Sequence, residues 1–230
     1  MRLSFGRLLK IFWHSLFIQT SWSFPSMQSM GFLSDLVAGV GEDKKSEILK
    51  TQRGLFNTHP YMVSYIVGAT VRAYDEGRAS AEEIGKFLAV AQTSFASAGD
   101  LLFWRTLRPA LLLLAVILGI HFGIVGPITF LVIYNIFHLF HRIKGINDGY
   151  NLGWDVIYLL KDRRFKMVRE IFEAAGAVLS GLLFSLAAFG VSYLLVIPLT
   201  ALFMIMLVRR YSAVLIIISV LLLVLIIGMV

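Results

Sequence analysis

Two long stretches of the chain contain no charged residue, and this feature constrains the fold more than any other. The first runs from Ala110 to Phe140 without a single Asp, Glu, Lys or Arg. About 20 apolar residues cross a bilayer, so this stretch could form one long tilted helix or a hairpin of two shorter helices. Soluble domains carry about a quarter charged residues, whereas this chain carries 15% and is 58% hydrophobic. The sequence therefore predicts a membrane-embedded protein.

Basic residues at both ends of the first apolar stretch favour the hairpin. Arg105 and Arg108 precede the stretch, and Arg142 and Lys144 follow it. Cytoplasmic flanks of membrane helices are enriched in Lys and Arg. Both ends lie in the cytoplasm only if the chain turns in the middle, and we predict that turn at Gly123–Pro127.

The second apolar stretch, residues 176 to 208, repeats this pattern. Its basic flanks are Lys161, Arg163, Arg164, Lys166 and Arg169 before it, and Arg209 and Arg210 after it. A turn near Gly190–Tyr193 or at Pro198 would close a second hairpin, and Tyr211–Val230 would form a last span. We therefore predict an all-α integral membrane protein with short and re-entrant helical hairpins and a C-terminal transmembrane helix. Residues 110–230 form its transmembrane part and residues 1–109 an amphipathic and re-entrant N-terminal part.

The N-terminal part is more polar. Arg7 to Thr20 form an apolar stripe with basic residues elsewhere, which predicts an amphipathic helix at a membrane surface or over a membrane core. Pro25 interrupts it, and a short apolar segment follows from Met27 to Val40. Residues 41–47 are predicted to be a solvated connection. Ser80 and Glu83 have the spacing of a capping box, which predicts a helix through about Ser94.

Several function classes find no support. The chain has no cysteine, which excludes disulfides and thiolate chemistry on it, and no cleavable signal peptide is expected. The net charge of +7 comes from cations beside apolar runs, so nucleic-acid binding is not expected. His138 and His141 could form a metal pair on one helical face, but a polar helix end at the membrane interface is favoured. We expect no metal, cofactor or catalytic residue.

Two polar segments stand out between apolar ones. Asn57–Pro60 reads Asn-Thr-His-Pro, and it could be a helix break that binds a polar substrate or an ordinary helix N-terminus. Asp100 directly precedes an apolar run, where a lone carboxylate is by default a functional candidate. Alternatively, Asp100 pairs with Arg105 or Arg108 and is structural. Periodicity does not separate these alternatives.

The same segments resemble the IID component of the mannose/fructose/sorbose family of the bacterial phosphotransferase system. Order and spacing of the similar elements hold from about Phe17 to Phe184. The most specific are Asn57–Pro60 and the Gly-Asp-x-x-Phe-Trp-x-Thr-x-Arg-Pro element of residues 99–109. Others are residues 19–24, 27–32 and 149–153.

The resemblance implies a multi-pass subunit of the bacterial inner membrane that helps to bind and translocate a mannose-type hexose. A IIC membrane subunit would be its partner, as a trimer of heterodimers. The soluble IIA and IIB proteins would carry the phosphate, so this chain would not be phosphorylated. The implied sugar-binding residues are Trp22, Gln28, Asn57 and His59. Asp100, Arg105 and Arg108 would be structural or line the substrate path.

The chain departs from the family pattern at three places. Leu186–Leu199 directly connects the last two hydrophobic regions, between which family members usually have a polar external segment. Ser23-Phe24-Pro25-Ser26 stands where the family has Asn-Phe/Tyr-Glu-Arg, and residues 94–98 replace a Gly-Pro-Leu-Ala-Gly element. These losses favour an alternative function, a divergent structural or regulatory membrane subunit that no longer carries sugar. A metal-dependent membrane enzyme is a distant third possibility.

Overall fold

The protein is described by a computed structural model that covers residues 3–52, 54–77, 79–188, 201 and 205. Regular structure in these residues is helical, in agreement with the all-α prediction. In chain order the segments are α1 (Phe5–Ser15), α2 (Ser29–Gly39), α3 (Glu42–Thr51), α4 (Val63–Glu76), α5 (Ala81–Gly99), a π-helix (Asp100–Leu107), α6 (Arg108–Phe122), α7 (Val125–Leu152), a 3₁₀ helix (Gly153–Lys161) and α8 (Arg163–Ala188).

Helix α1 has apolar side chains on two faces. Ser4 caps it by accepting a hydrogen bond from the Arg7 backbone N–H, at 3.4 Å. One face is buried against the rest of the protein, through Leu8 and Ile11. A second stripe at four-residue spacing remains exposed and contains Phe5, Leu9, Trp13 and Phe17. An exposed stripe of this kind suits contact with a lipid surface.

A charged network fastens α1 to three other helices. The Arg7 guanidinium contacts both carboxylate oxygens of Asp75 on α4, at 2.9 and 2.8 Å, and its Nε donates to the carbonyl of Gly39 on α2. The Tyr150 hydroxyl of α7 donates to the same Asp75 carboxylate at 2.8 Å. Because these groups are partly buried, the network fixes α1 more firmly than an exposed ion pair would.

The polar segment 41–47 is not a connection, and this prediction was wrong. It contains most of α3, which begins directly after Gly41. Glu42 and Asp43 lie in the first turn and Lys50 in the last, which suits the helix dipole. Ile48 is fully buried and anchors the helix to the core. The many charged residues hid the helical pattern, because Ile48 is the one buried residue of α3.

The core is built where α4 crosses α7. Val63, Ile66 and Val67 of α4 are fully buried. Gly68 and Gly149 let the two backbones approach, since a Cβ on Gly68 would lie 2.8 Å from the Tyr150 backbone nitrogen. Helix crossings with small residues are common in membrane proteins, where close backbone contact replaces bulky packing.

One continuous helical segment links the two parts of the sequence. The capping box of Ser80 and Glu83 is present at its start, as predicted. Helix α5 then continues past Ser94 to Gly99 and passes through the π-helix into α6. The boundary proposed at residue 109 thus falls within regular helix. By length and composition this segment, Ala81–Phe122, is the one helix of the described residues that could cross a membrane.

The first apolar stretch turns where the flanking charges predicted. Helix α6 ends at Phe122, and Gly123 follows with φ of +55°, a conformation that favours glycine. Helix α7 then begins at Val125, so a single long helix is excluded. The outer faces of this hairpin are apolar, with exposed side chains that include Leu112, Val116, Ile120, Ile128 and Ile136.

The chain divides into two compact units, Met1–Leu179 and Ser180–Val230. The features described below belong to the first. The turn predicted at Gly190–Tyr193 or Pro198 and the last span, Tyr211–Val230, lie outside the described residues.

Candidate functional site

The Asn57–Pro60 turn lies between α3 and α4 and is not a conventional helix N-terminus. Helix α4 begins only at Val63, and no side chain caps it. The His59 carbonyl instead accepts hydrogen bonds from the backbone N–H groups of Met62 and Val63, at 2.9 and 3.1 Å. Asn57 and Thr58 are therefore not used as helix caps, and the Asn57 side chain is exposed.

Two glutamines hold this turn in place. Gln28 Oε1 accepts a hydrogen bond from the Thr58 backbone N–H at 3.0 Å. Gln92 Oε1 accepts one from the Asn57 backbone N–H, also at 3.0 Å, and its carbonyl accepts one from the Thr58 hydroxyl. Gln28 was selected from the sequence, whereas Gln92 was missed because it lies on the polar face of an otherwise ordinary helix. Both act on the backbone of the turn.

A short hairpin links the Trp22–Gln28 segment to the turn. Ser23 and Met27 exchange two backbone hydrogen bonds, and the Gln28 N–H donates to the Phe56 carbonyl at 2.8 Å. Met27 has φ of +54°, which is uncommon for a side chain of its size. Trp22 is 43% exposed at the start of this hairpin. The hairpin thus connects residues 19–24 and 27–32, two of the segments that resemble the family, to Phe56, which directly precedes Asn57.

His59 packs beneath the turn against the π-helix. Its ring is stacked on that of Phe103, with centroids 5.0 Å apart, and lies 5.0 Å from the Trp104 ring. Gly99 makes this possible, because a Cβ there would overlap Cβ and Cγ of His59 and lie 2.8 Å from Nδ1. The two most specific sequence elements therefore pack directly against each other, and Gly99 is the point of closest approach.

The His59 ring is neutral at physiological pH. Burial lowers its pKa to about 3, and the neighbouring Arg142 and His141 side chains add to this shift. The side chain is only 2% exposed, and Nδ1 accepts a hydrogen bond from the Tyr61 N–H at 3.3 Å. Of the four predicted sugar-binding residues, Asn57 and Trp22 are exposed, whereas Gln28 and His59 are buried supports.

Two buried residues of opposite charge, Arg142 and Asp35, lie behind the site, and the sequence did not identify them. Among the described residues no hydrogen bond or ion pair joins the two, and both Asp35 carboxylate oxygens lack a hydrogen-bond partner. Arg142 was expected only as a cytoplasmic flanking charge, yet it is 3% exposed and donates to the Ser15 carbonyl. Its guanidinium lies 5.3 Å from the centroid of the Tyr61 ring. Asp35 on α2 is fully buried. Burial raises the pKa of Asp35, and the positive charge of Arg142 opposes that rise.

The remaining predicted residues are exposed and separate. Asp100, Arg105 and Arg108 lie on or next to the π-helix with exposed side chains. Among the described residues Asp100 makes no ion pair with Arg105 or Arg108, so the structural alternative for it gains no support. The π-helix itself is informative, because such segments occur frequently at functional sites.

The two histidines considered as a metal pair have other partners. His138 lies 2.9 Å from the Asn135 side-chain oxygen, and His141 lies 3.0 Å from the Tyr65 hydroxyl. Within the described part of the chain no group of three or more His, Cys, Asp or Glu residues could hold a metal ion.

Comparison with known proteins matches the chain to one family. The sequence model of the "PTS system mannose/fructose/sorbose family IID component" matches residues 2–193. The mannose-specific EIID component of Escherichia coli K12 is 28% identical over 176 residues, which are 72% of this chain and 61% of that protein. The sorbose-specific EIID component of Lacticaseibacillus casei is 32% identical over 74% of this chain and 62% of its own length. The fructose permease IID component of Bacillus subtilis is 28% identical over 80% of this chain and 70% of its own. The chain thus spans about three fifths of the length of the mannose-specific and L. casei relatives.

Two solved structures share the fold. One, described as a membrane protein, superposes with a TM-score of 0.73 at 20% identity and covers 98% of this chain. The other is a cryo-EM structure of the mannose transporter ManYZ with microcin E492, with a TM-score of 0.61 at 20% identity over 97% of this chain. At this identity the likeness concerns the fold alone.

Proposed function

The chain belongs to the mannose/fructose/sorbose family of IID components of the phosphotransferase system, and we propose that it helps to bind and translocate a sugar. Family membership makes it an integral membrane subunit of a sugar transporter. We propose that the sugar is a mannose-type hexose. The similar proteins are named for mannose, fructose and sorbose. We also propose that it is a multi-pass protein of the bacterial inner membrane.

The observation that carries the proposal is the way the Asn57 side chain is presented. The backbone N–H of Asn57 and that of the next residue are held by Gln92 and Gln28. The backbone of Asn57 is thereby fixed, while its exposed side-chain amide remains available to a ligand. An amide has donors and an acceptor, which suits the hydroxyl groups of a sugar. Ligand sites commonly combine few polar groups of this kind with aromatic walls. Trp22, at the start of the hairpin that is bonded to Phe56, is the aromatic residue that we propose for this role.

We propose different roles for the other selected residues. Gln28 and His59 are buried and hold the turn in place. They would affect sugar binding indirectly, by positioning Asn57. Asp100, Arg105 and Arg108 stay candidates for the substrate path, because they lie exposed on the adjoining π-helix region. No residue of this chain is proposed to be catalytic, and no metal or cofactor is proposed to bind to it.

The proposal includes partners. A IIC membrane subunit would complete the sugar site. A site shared between two subunits would account for the exposure of Asn57 in the single chain. The soluble IIB and IIA proteins would pass phosphate to the sugar, and the assembly would be a trimer of heterodimers. The alternative of a structural subunit without transport is favoured by one local observation: Phe24 is 83% exposed in the segment that lacks the Glu-Arg pair.

The test replaces Asn57 with Ala in the complex with the IIC subunit. We expect sugar binding to weaken by at least about 5-fold, since a lost hydrogen bond is worth about 1 kcal/mol or more. Isothermal titration would measure affinity, and co-purification of the IIC subunit would report assembly. Asn147→Ala is the matched control, because that amide donates to the Ile143 carbonyl of its own helix, away from the turn. Unchanged affinity in the assembled Asn57→Ala complex would exclude Asn57 from the sugar site. A complex that binds no tested hexose at all would favour the structural subunit.

A further inference from the structure

We propose that a cleft between α4, the π-helix, α7 and α8 binds one acyl chain of an anionic phospholipid, with the phosphate held at Arg164 and Lys144. The cleft encloses about 210 Å³ and lies within the first compact unit. It is separate from the Asn57–Pro60 turn, and none of the residues proposed to bind sugar lines it. The proposal is therefore independent of whether sugar is transported.

The inner wall of the cleft is apolar. Met62, Phe95 and Leu102 line it and are at most 1% exposed, so they form its floor. Phe137, Phe140 and Val168 line the sides. A sugar placed here would lose hydrogen bonds to water without replacing them, and burying an unsatisfied hydroxyl is unfavourable. A hydrocarbon chain has no such groups, and its burial is favourable.

The mouth of the cleft is charged. Lys144, Asp162 and Arg164 line it with exposed side chains. The Lys144 ammonium pairs with Asp148, and Asp162 Oδ1 accepts a hydrogen bond from the Arg164 backbone N–H at 2.9 Å. The Arg164 guanidinium makes no ion pair within the part of the chain that the structure describes. It is the group that most directly fits a phosphate, because guanidinium can form two parallel hydrogen bonds to one.

The position of the cleft along the helices agrees with this occupant. Lys144 follows the first apolar stretch, and Arg164 precedes the second. Lys161, Arg163 and Lys166 surround Arg164 in sequence and are also exposed. Residues at such boundaries lie at the level of lipid headgroups, and basic pockets between membrane helices on the cytoplasmic side bind anionic headgroups. A phosphate at Arg164 would thus place its acyl chain towards the apolar wall.

The first test concerns the headgroup. The full chain with its IIC partner would be purified from vesicles of phosphatidylglycerol and phosphatidylcholine in equal amounts, and retained lipids counted by native mass spectrometry. We expect preferential retention of phosphatidylglycerol, and about a 5-fold loss of that preference in Arg164→Gln, the effect of one cation near an anionic headgroup. Arg163→Gln is the matched control and should retain the wild-type preference. Equal retention of both lipids by the wild type, or an equal loss in Arg163→Gln, would overturn the proposal.

The second test concerns the acyl chain. Val168→Trp would fill the cleft from α8 and should displace bound lipid of either headgroup while helicity, followed by circular dichroism, is unchanged. If that variant does not fold, Val168→Phe adds less volume and tests the same point. Added inorganic phosphate should not displace the lipid, because the apolar wall contributes to binding. Displacement by phosphate alone, or a cross-link from the cleft to the IIC subunit in place of lipid, would show that the occupant is not an acyl chain.

Discussion

Beneath the Asn57–Pro60 turn three phenylalanine side chains are buried, whereas many large apolar side chains on the hairpin of α6 and α7 are exposed. Phe95 and Phe103 are fully buried, and Phe56 is 4% exposed. Phe122 and Ile124, at the tip of the hairpin, are 63% and 71% exposed. Large apolar side chains are thus buried in one region of the chain and exposed in the other.

The difference shows where structural specificity resides in each region. At the turn, specificity comes from polar atoms and close approaches, such as Gln28 on the Thr58 N–H and Gly99 against His59. We propose that the hairpin contacts lipid, where its apolar side chains would need only be lipid-soluble, because lipid tails are as apolar as the side chains themselves. Substitutions should consequently be judged by shape and hydrogen bonding in the first region and by polarity in the second.

The largest effect is expected when the buried charge behind the turn is removed. Arg142→Met removes the hydrogen bond to the Ser15 carbonyl and the positive charge that opposes the raised pKa of Asp35. Leaving a buried charge without its compensating charge costs about 3–5 kcal/mol of the free energy of unfolding. Lys144→Met, two residues further along α7, removes an exposed cation and should cost less than about 1 kcal/mol. Thermal unfolding of the purified complex would compare the two variants.

Both buried charges, Asp35 and Arg142, can also be removed together. The double variant Asp35→Leu with Arg142→Met leaves no unpaired charge, so it should be more stable than Arg142→Met alone. Equal thermal stability of Arg142→Met and Lys144→Met would mean that the buried surroundings of the Asn57–Pro60 turn do not depend on the Arg142 charge. The contrast between this region and the hairpin would then be weaker.

The next effect separates the two regions by a matched pair of valines. Val116 on α6 is 48% exposed, and Val90 on α5 is 57% exposed. Val116→Asp would place a carboxylate within lipid, at a cost of about 2.5–3.5 kcal/mol for membrane insertion. Val90→Asp lies on a face that carries Lys86 and Thr93 and should change stability by about 0.5 kcal/mol or less. The fraction of each variant that resists alkaline extraction from membranes measures the difference, and equal fractions would contradict the assignment of the hairpin to lipid.

Much of the helical framework follows from local sequence. The Ser80–Glu83 capping box and the turn at Gly123 depend on residues a few positions apart, and both occur where the sequence predicted them. Helix α3 was missed because charge density was read as solvation, although its charges lie at the ends that suit a helix. The extension of α5 beyond Ser94 to Gly99 was missed, and helical structure even continues past that glycine into the π-helix.

The candidate site was predicted only in part, since its hydrogen bonds join distant residues. The family elements identified Gln28, Asn57 and Gly99, but not how they meet. The bond from Asn57 to Gln92 spans 35 positions, and that from Arg142 to Ser15 spans 127. Periodicity reports which face of a helix is apolar and contains no information on such pairs. Asp35 did leave a signal, because a carboxylate in an apolar segment is costly and needs a buried partner.

The smallest of these effects concerns two glycines of the same helix, Gly99 and Gly85. Gly99→Ala would force the His59 ring away from Phe103, and overpacking of this kind costs roughly 1–3 kcal/mol. A Cβ at Gly85 would meet nothing within 4 Å, so Gly85→Ala should stabilise the helix by roughly 0.5–1 kcal/mol. The two changes add the same methyl group to one helix and are expected to shift the melting temperature in opposite directions. Because His59 supports the Asn57 turn, Gly99→Ala should also weaken sugar binding, while Gly85→Ala leaves it unchanged. If both variants were stabilised, the close contact between the two family elements would not exist in the folded protein.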